Sequence, residues 1–170
     1  YPPIELDGAV VAITGGARGI GRETASLFAA RGASVAIGDL DLELARASAE
    51  RIGGRAYLLD VSDRAVFKSF IAQVTEDLGP VDVLVNNAGI MPAGAFLDEP
   101  EESIDRQLAV NLTGVINGMR AVAPAMRDRR RGHIVNIASM AGKLPIPGLA
   151  VYCAGKHAVV ALSNVTRSEL

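Results

Sequence analysis

Tyr152 and Lys156 stand four residues apart in a segment whose later apolar residues, Val159, Leu162 and Val165, keep helical spacing. The two side chains therefore share a helix face. A phenol has a reference pKa of about 10, too high for proton exchange near neutrality. A neighbouring ammonium favours the phenolate, and a tyrosine so placed can give or take the proton of a carbonyl or hydroxyl oxygen. Alone, Y-x-x-x-K also describes a packed phenol beside a surface cation. Here Ser139 precedes Tyr152 by 13 residues across a Gly- and Pro-rich loop.

A second constellation lies at residues 9–31. The apolar run Ala9-Val10-Val11-Ala12-Ile13 reads as a strand buried on both faces. A turn follows, Thr14-Gly15-Gly16-Ala17-Arg18-Gly19-Ile20-Gly21. Then Ile20, Thr24, Leu27 and Phe28 recur at helical spacing, and Gly32 sits where a helix would stop. Strand, glycine turn and helix make a phosphate cradle, because the N–H groups at the helix start face an anion. The spacing Gly15-x-x-x-Gly19-x-Gly21 is not G-x-G-x-x-G, and a bare structural turn is the plain alternative. Asp39 strengthens the nucleotide reading. It ends a second apolar run 18 residues past Gly21, close to the ~20 expected of a ribose-binding carboxylate.

Strand and helix signals alternate through the rest of the chain. Residues 42–51 read as a short charged helix ending at Gly53-Gly54, and 56–59 as a strand ending at Asp60. Ser62 is the expected cap of a helix with the stripe Val66, Phe67, Phe70, Ile71, Val74 and Leu78, stopped by Gly79-Pro80. Residues 81–85 form a fourth strand, closed by Asn86-Asn87-Ala88-Gly89. A long helix carries Leu108, Leu112, Val115, Met119, Val122 and Met126 on one face. Arg127, Arg129, Arg130 and Arg131 end it as cations at a helix terminus, the alternative being a nucleic-acid patch. Residues 134–138 are a fifth strand.

This alternation predicts an α/β fold, a doubly wound parallel sheet with helices on both faces. Thr14, Asp39, Asp60, Asn87 and Ser139 all fall at predicted strand ends, the edge where such sheets bind nucleotides. The 170 residues suffice for one domain with a core. A net charge of −2 gives no reason to expect nucleic acid or an anionic membrane as partner. The single cysteine, Cys153, excludes an internal disulfide and fits a reducing, cytoplasmic compartment. No apolar stretch reaches ~18 residues, and residues 1–5 read as a short lead-in. His133 and His157 have no cluster of ligands around them, so no metal is expected.

Together these motifs resemble the short-chain dehydrogenase/reductase family along all 170 residues. Thr14-Gly15-x-x-x-Gly19-x-Gly21, Asn86-Asn87-Ala88-Gly89, Asn111, Ser139 and Tyr152-x-x-x-Lys156 match its motifs in order and spacing. The resemblance implies a single NAD(P)-binding Rossmann domain over 1–170, with Tyr152 as catalytic acid/base. It implies that Lys156 lowers the pKa of Tyr152 and binds the nicotinamide ribose, that Ser139 holds the substrate oxygen, and that Asn111 supports a proton relay through a water. Thr14, Gly15, Arg18, Gly19, Ile20 and Gly21 would cradle the diphosphate, Asp39 and Leu40 the adenosine ribose, Asp60 and Val61 would flank the adenine, and Asn87, Ala88 and Gly89 the ribose and sheet end. Without it, Asn111 could simply brace its helix and Asp60 could cap the next one.

Asp39 repels a 2′-phosphate and Leu40 occupies a position where NADP users of the family often carry a base; Arg18 pulls the other way. NAD is expected over NADP. The implied reaction is hydride transfer between the nicotinamide and a small-molecule alcohol or ketone, with Ile90, Met91, Pro92, Ala141, Lys143, Leu144 and Leu149 as mostly apolar pocket candidates. A non-catalytic NAD(P)-binding sensor or scaffold is the alternative; a sugar-nucleotide epimerase fits the glycine spacing less well. The family's chains usually continue with sixth and seventh strands, a Pro-Gly turn and a lid, so the expectation is a domain incomplete at its C-terminal end. A homodimer or homotetramer through the two long helices is also implied.

Overall fold

A computed structural model describes residues 4–170; of the lead-in expected at 1–5, only Ile4 and Glu5 fall among them. Five strands, β1 (Val10–Thr14), β2 (Ser34–Asp39), β3 (Arg55–Leu58), β4 (Val83–Asn86) and β5 (His133–Asn136), form one sheet in the order β3-β2-β1-β4-β5. Every pairing is parallel, with Val11 opposite Val35 on one side and Val83 on the other. The order reverses beside β1, the switch point at which a doubly wound sheet opens a crevice.

Alternation along β1 shows why its apolar run is unbroken. Val10 and Ala12 join one core cluster with Phe67, Phe70 and Val74 of α3 (Arg64–Leu78) and Val122 and Met126 of α5 (Gly114–Arg129). Val11 and Ile13 join the other, with Ala25 of α1 (Gly19–Ala29) and Ala45 and Ala49 of α2 (Leu42–Glu50). Both faces are covered, so both sets of side chains must be apolar. The α1/α2 face is built on alanines, which lets those helices approach closely. That corrects the stripe expected for α1: Ile20 and Leu27 are 70% and 58% exposed, while Gly21 and Ala25 are buried.

Two more corrections concern helices. Ser62 does not cap α3; Asp63 does, its Oδ1 accepting from the N–H groups of Ala65 (2.7 Å) and Val66 (3.0 Å). Ser62 instead donates to Asp60 Oδ1. The long helix expected through 104–126 is also broken: α4 (Glu101–Leu108) runs into a π turn, Ala109–Thr113, before α5. The wider turn rotates the register, so Leu108 faces solvent while Val115, Met119, Val122 and Met126 stay buried. The last helix is α6 (Ala150–Glu169).

Arg129 and Arg131 at the end of α5 have an acidic partner. Both reach the Asp82 carboxylate, at 3.3 and 2.9 Å, and Arg129 also donates to the carbonyl of Val81. Arg130 closes α5 in the left-handed conformation, φ 51°. Among the described residues, no helix is long and apolar enough to cross a membrane.

Candidate active site

The glycine turn is held from behind. Thr14, at the end of β1, is buried, and its Oγ1 accepts from the N–H groups of Asn87 (3.1 Å) and Ala88 (3.0 Å). Asn87 Nδ2 donates back to the carbonyls of Thr14 and Gly15. These contacts lock the carboxyl ends of β1 and β4 together. Gly15 has φ 64°, and a Cβ there would stand 2.8 Å from Ala88 Cα. Gly21 is equally constrained, because a Cβ would run into Gly15 O. Thr14 and Gly21 thus shape the turn from inside and offer no side chain to a ligand.

The outward side of the turn is different. Arg18, Gly19 and Ile20 are exposed, Gly19 has φ 53°, and open space lies where its side chain would be. Side-chain carboxylates cap α2 and α3, but no side chain caps α1. Its first-turn N–H groups are therefore open to an anion at the positive end of the helix. Asp39 lies beside this opening. Its Oδ2 accepts from Ala17 N–H (3.0 Å) and its Oδ1 from Asp41 N–H (3.1 Å). A carboxylate has about four acceptor positions, so room remains for two hydroxyls. Glycine space, an uncapped helix start and a half-used carboxylate fit a dinucleotide.

Four elements meet across the sheet edge. Asn111, in the π turn and buried, clamps the backbone of Ile90: Oδ1 accepts from Ile90 N–H (2.9 Å) and Nδ2 donates to Ile90 O (2.8 Å). A Cβ on Gly89 would lie 3.1 Å from Asn111 Oδ1 and 3.7 Å from Lys156 Nζ. Lys156 is 4% exposed and donates to Ile137 O (2.8 Å) just past β5. Burial pushes its pKa down from the usual lysine range. Its Nζ lies 5.7 Å from the centre of the Tyr152 ring, one turn earlier on α6. Ser139 opens the short turn Met140–Gly142, where its Oγ accepts from Ala141 N–H and keeps its own proton to donate. That turn packs on α6 so tightly that a Cβ on Gly142 would stand 2.8 Å from Lys156 O.

Asn111 and Lys156 thus meet at Gly89, the Tyr152 ring lies beside Lys156 on α6, and the turn that Ser139 opens packs against the backbone of Lys156. Arg18, Gly19, Ile20, Asp39 and Leu40 gather at the other half of the edge, with Gly15, Asn87 and Ala88 beneath. Val61 follows Asp60 at the sheet edge with its side chain in the core, and Asn117 Nδ2 donates to its carbonyl. Asp60 Oδ1 accepts from Ser62 N–H and Oγ–H, forming the turn before α3 rather than capping it. Ala141 is buried, which removes it from the pocket candidates. Asn117, Asn136 and Asp41 were not legible as site neighbours. Asn136 ties Asn86 on β4 to Ser163 on α6, and its place at a strand end was the only signal. Among the described residues, no group of three side chains could hold a metal.

Comparison with known proteins decides the family. The family model described as short chain dehydrogenase matches residues 9–170. The chain belongs to the short chain dehydrogenase family. It shares that family's NAD(P)-binding, Rossmann-like sheet. It is 43% identical over 164 residues to the sorbitol dehydrogenase of Cereibacter sphaeroides, covering 95% of this chain and 64% of that protein. It is 45% identical over 167 residues to the Mycobacterium tuberculosis protein named "Probable oxidoreductase EphD", covering 95% of this chain and 28% of the relative. A short chain dehydrogenase/reductase from Burkholderia phymatum, solved in complex with NAD, superposes with a TM-score of 0.96 at 33% identity, over 99% of this chain and 62% of that one. The chain therefore spans less than two thirds of each of these relatives.

Proposed function

We propose that this chain carries the cofactor site and proton-transfer set of an NAD-dependent oxidoreductase acting on a secondary alcohol or ketone. The observation that carries the reading is the buried Lys156 ammonium beneath the Tyr152 ring, beside the Ser139 turn and the Asn111 clamp. When bound, the nicotinamide accepts or returns the hydride. Tyr152 holds the proton: as phenolate it takes the hydroxyl proton of an alcohol, and as phenol it gives one to a ketone oxygen. Lys156, anchored on Ile137 O, sets its amino group 5.7 Å from the centre of the phenol ring, where it can orient the tyrosine and the cofactor ribose. The Ser139 hydroxyl donates to the substrate oxygen and aligns it. Asn111 fixes Ile90 and Gly89 at the end of β4, shaping the floor on which a relaying water would stand.

NAD is favoured over NADP by the Asp39 carboxylate at the ribose end. An apolar or partly apolar substrate is favoured by Met91 and Leu144, both exposed, on two loops joined by the hydrogen bond from Gly94 N–H to Gly148 O. One free cysteine suits a cytoplasmic enzyme. The apolar residues left on the outer faces of the helices, Leu108 and Val165, support assembly into a homodimer or homotetramer. A panel of secondary alcohols and ketones, each run with NAD and with NADP, tests the reading. NAD-dependent oxidation of at least one secondary alcohol is expected. Turnover with NADP alone refutes the cofactor assignment, and no turnover with any member refutes the reaction.

A further inference from the structure

Resting on the NAD reading above, we propose that Asp41 is a positioning residue for cofactor choice, holding the Arg18 guanidinium on its own carboxylate. Arg18 precedes α1 in the glycine turn, and its side chain is 69% exposed. In that place a free guanidinium would pair with a phosphate on the adenosine ribose, the group that distinguishes NADP from NAD. Its Nη2 instead lies 3.7 Å from Asp41 Oδ2.

Asp41 is well anchored for the task. Its Oδ1 accepts from Leu44 N–H (3.1 Å), capping α2, which leaves Oδ2 for the guanidinium. Its own N–H donates to Asp39 Oδ1. Asp39 Oδ2 in turn takes the N–H of Ala17, the residue before Arg18. Residues 17, 18, 39 and 41 thus close a ring in which the cation of the turn already has a partner. A 2′-phosphate arriving there meets two carboxylates and must draw Arg18 from one of them. An NAD ribose needs only Asp39 and leaves the pair intact. The pair is exposed, so its leverage is moderate, up to about fivefold in an equilibrium constant.

Asp41→Asn keeps the oxygen that caps α2 and removes the charge. NAD and NADP are titrated calorimetrically into the wild-type protein, Asp41→Asn, Arg18→Ala and the double variant, at two salt concentrations. The NADP-to-NAD ratio of dissociation constants should fall about three- to fivefold in Asp41→Asn. In the Arg18→Ala background the same substitution should move it less than about twofold, and added salt should shrink the difference. An unchanged ratio in Asp41→Asn overturns the proposal. So does an equal shift without Arg18, which would make Asp41 act by direct repulsion. A wild-type preference for NADP combined with the coupled shift would refute the NAD reading and uphold the tether. Binding of neither dinucleotide would overturn both.

Discussion

At the amino ends of the strands, the Asp82 carboxylate accepts from the buried Val10 N–H and pairs with Arg129 and Arg131. At the carboxyl ends of the same strands, the start of α1 has no cap, Asp39 keeps spare acceptor positions, and the Ser139 hydroxyl keeps its proton. Both edges are rich in polar groups. At the amino edge these groups satisfy one another across β1, β4 and the end of α5, and the result is closure. At the carboxyl edge they are satisfied from behind, through Thr14, Asn87 and Asn111, and left available in front. Polar content alone does not mark a site; polar groups braced on one side and open on the other do.

The largest effect that would sharpen this contrast is on turnover. Lys156→Ala should lower kcat by about 10²–10⁴-fold and leave far-UV circular dichroism unchanged. Wild-type kinetics in that variant would make Lys156 a packing residue like those of the amino edge. Lys156 also carries a stability signature. Its pKa is lowered by burial, so the unfolded chain binds more protons between that lowered value and the ordinary lysine range. Stability from this group therefore rises with pH through that window. Urea denaturation should show a steeper rise with pH below about 10 in the wild type than in Lys156→Ala.

Next in size is a change at the closed edge. Asp82→Ala strands the Val10 N–H and leaves two arginines without their partner, costing about 2–3 kcal/mol in chemical denaturation. Cofactor affinity in the surviving folded protein should stay within about twofold, since nothing at the open edge touches Asp82. The smallest effect is at Arg130, whose left-handed φ of 51° suits glycine. Arg130→Gly should raise stability by about 0.5–1 kcal/mol, read as a rise in Tm.

The fold was legible because each interior strand is an unbroken apolar run, and that pattern admits only a sheet covered on both faces. Asp39, Asn87, Ser139 and the Tyr152–Lys156 pair were legible because each ends a strand or shares a helix turn. What escaped were contacts that depend on three-dimensional approach. The π turn at Ala109–Thr113 has no sequence period of its own, and Asn111, which lies within it, is bonded to Ile90. The exposure of Ile20 escaped because α1 buries Gly21 and Ala25, small residues that carry little apolar signal. The Asp82–arginine cluster joins residues almost fifty positions apart, so the arginine run could be read only as a helix terminus.

The most direct test is Tyr152→Phe, which removes one oxygen and leaves the ring over Lys156 in place. Turnover of the best substrate found with NAD should fall by at least about 10³-fold, while the NAD dissociation constant changes by less than about threefold. Turnover within a few-fold of wild type would contradict the account, because the proton would then be moving through some other group.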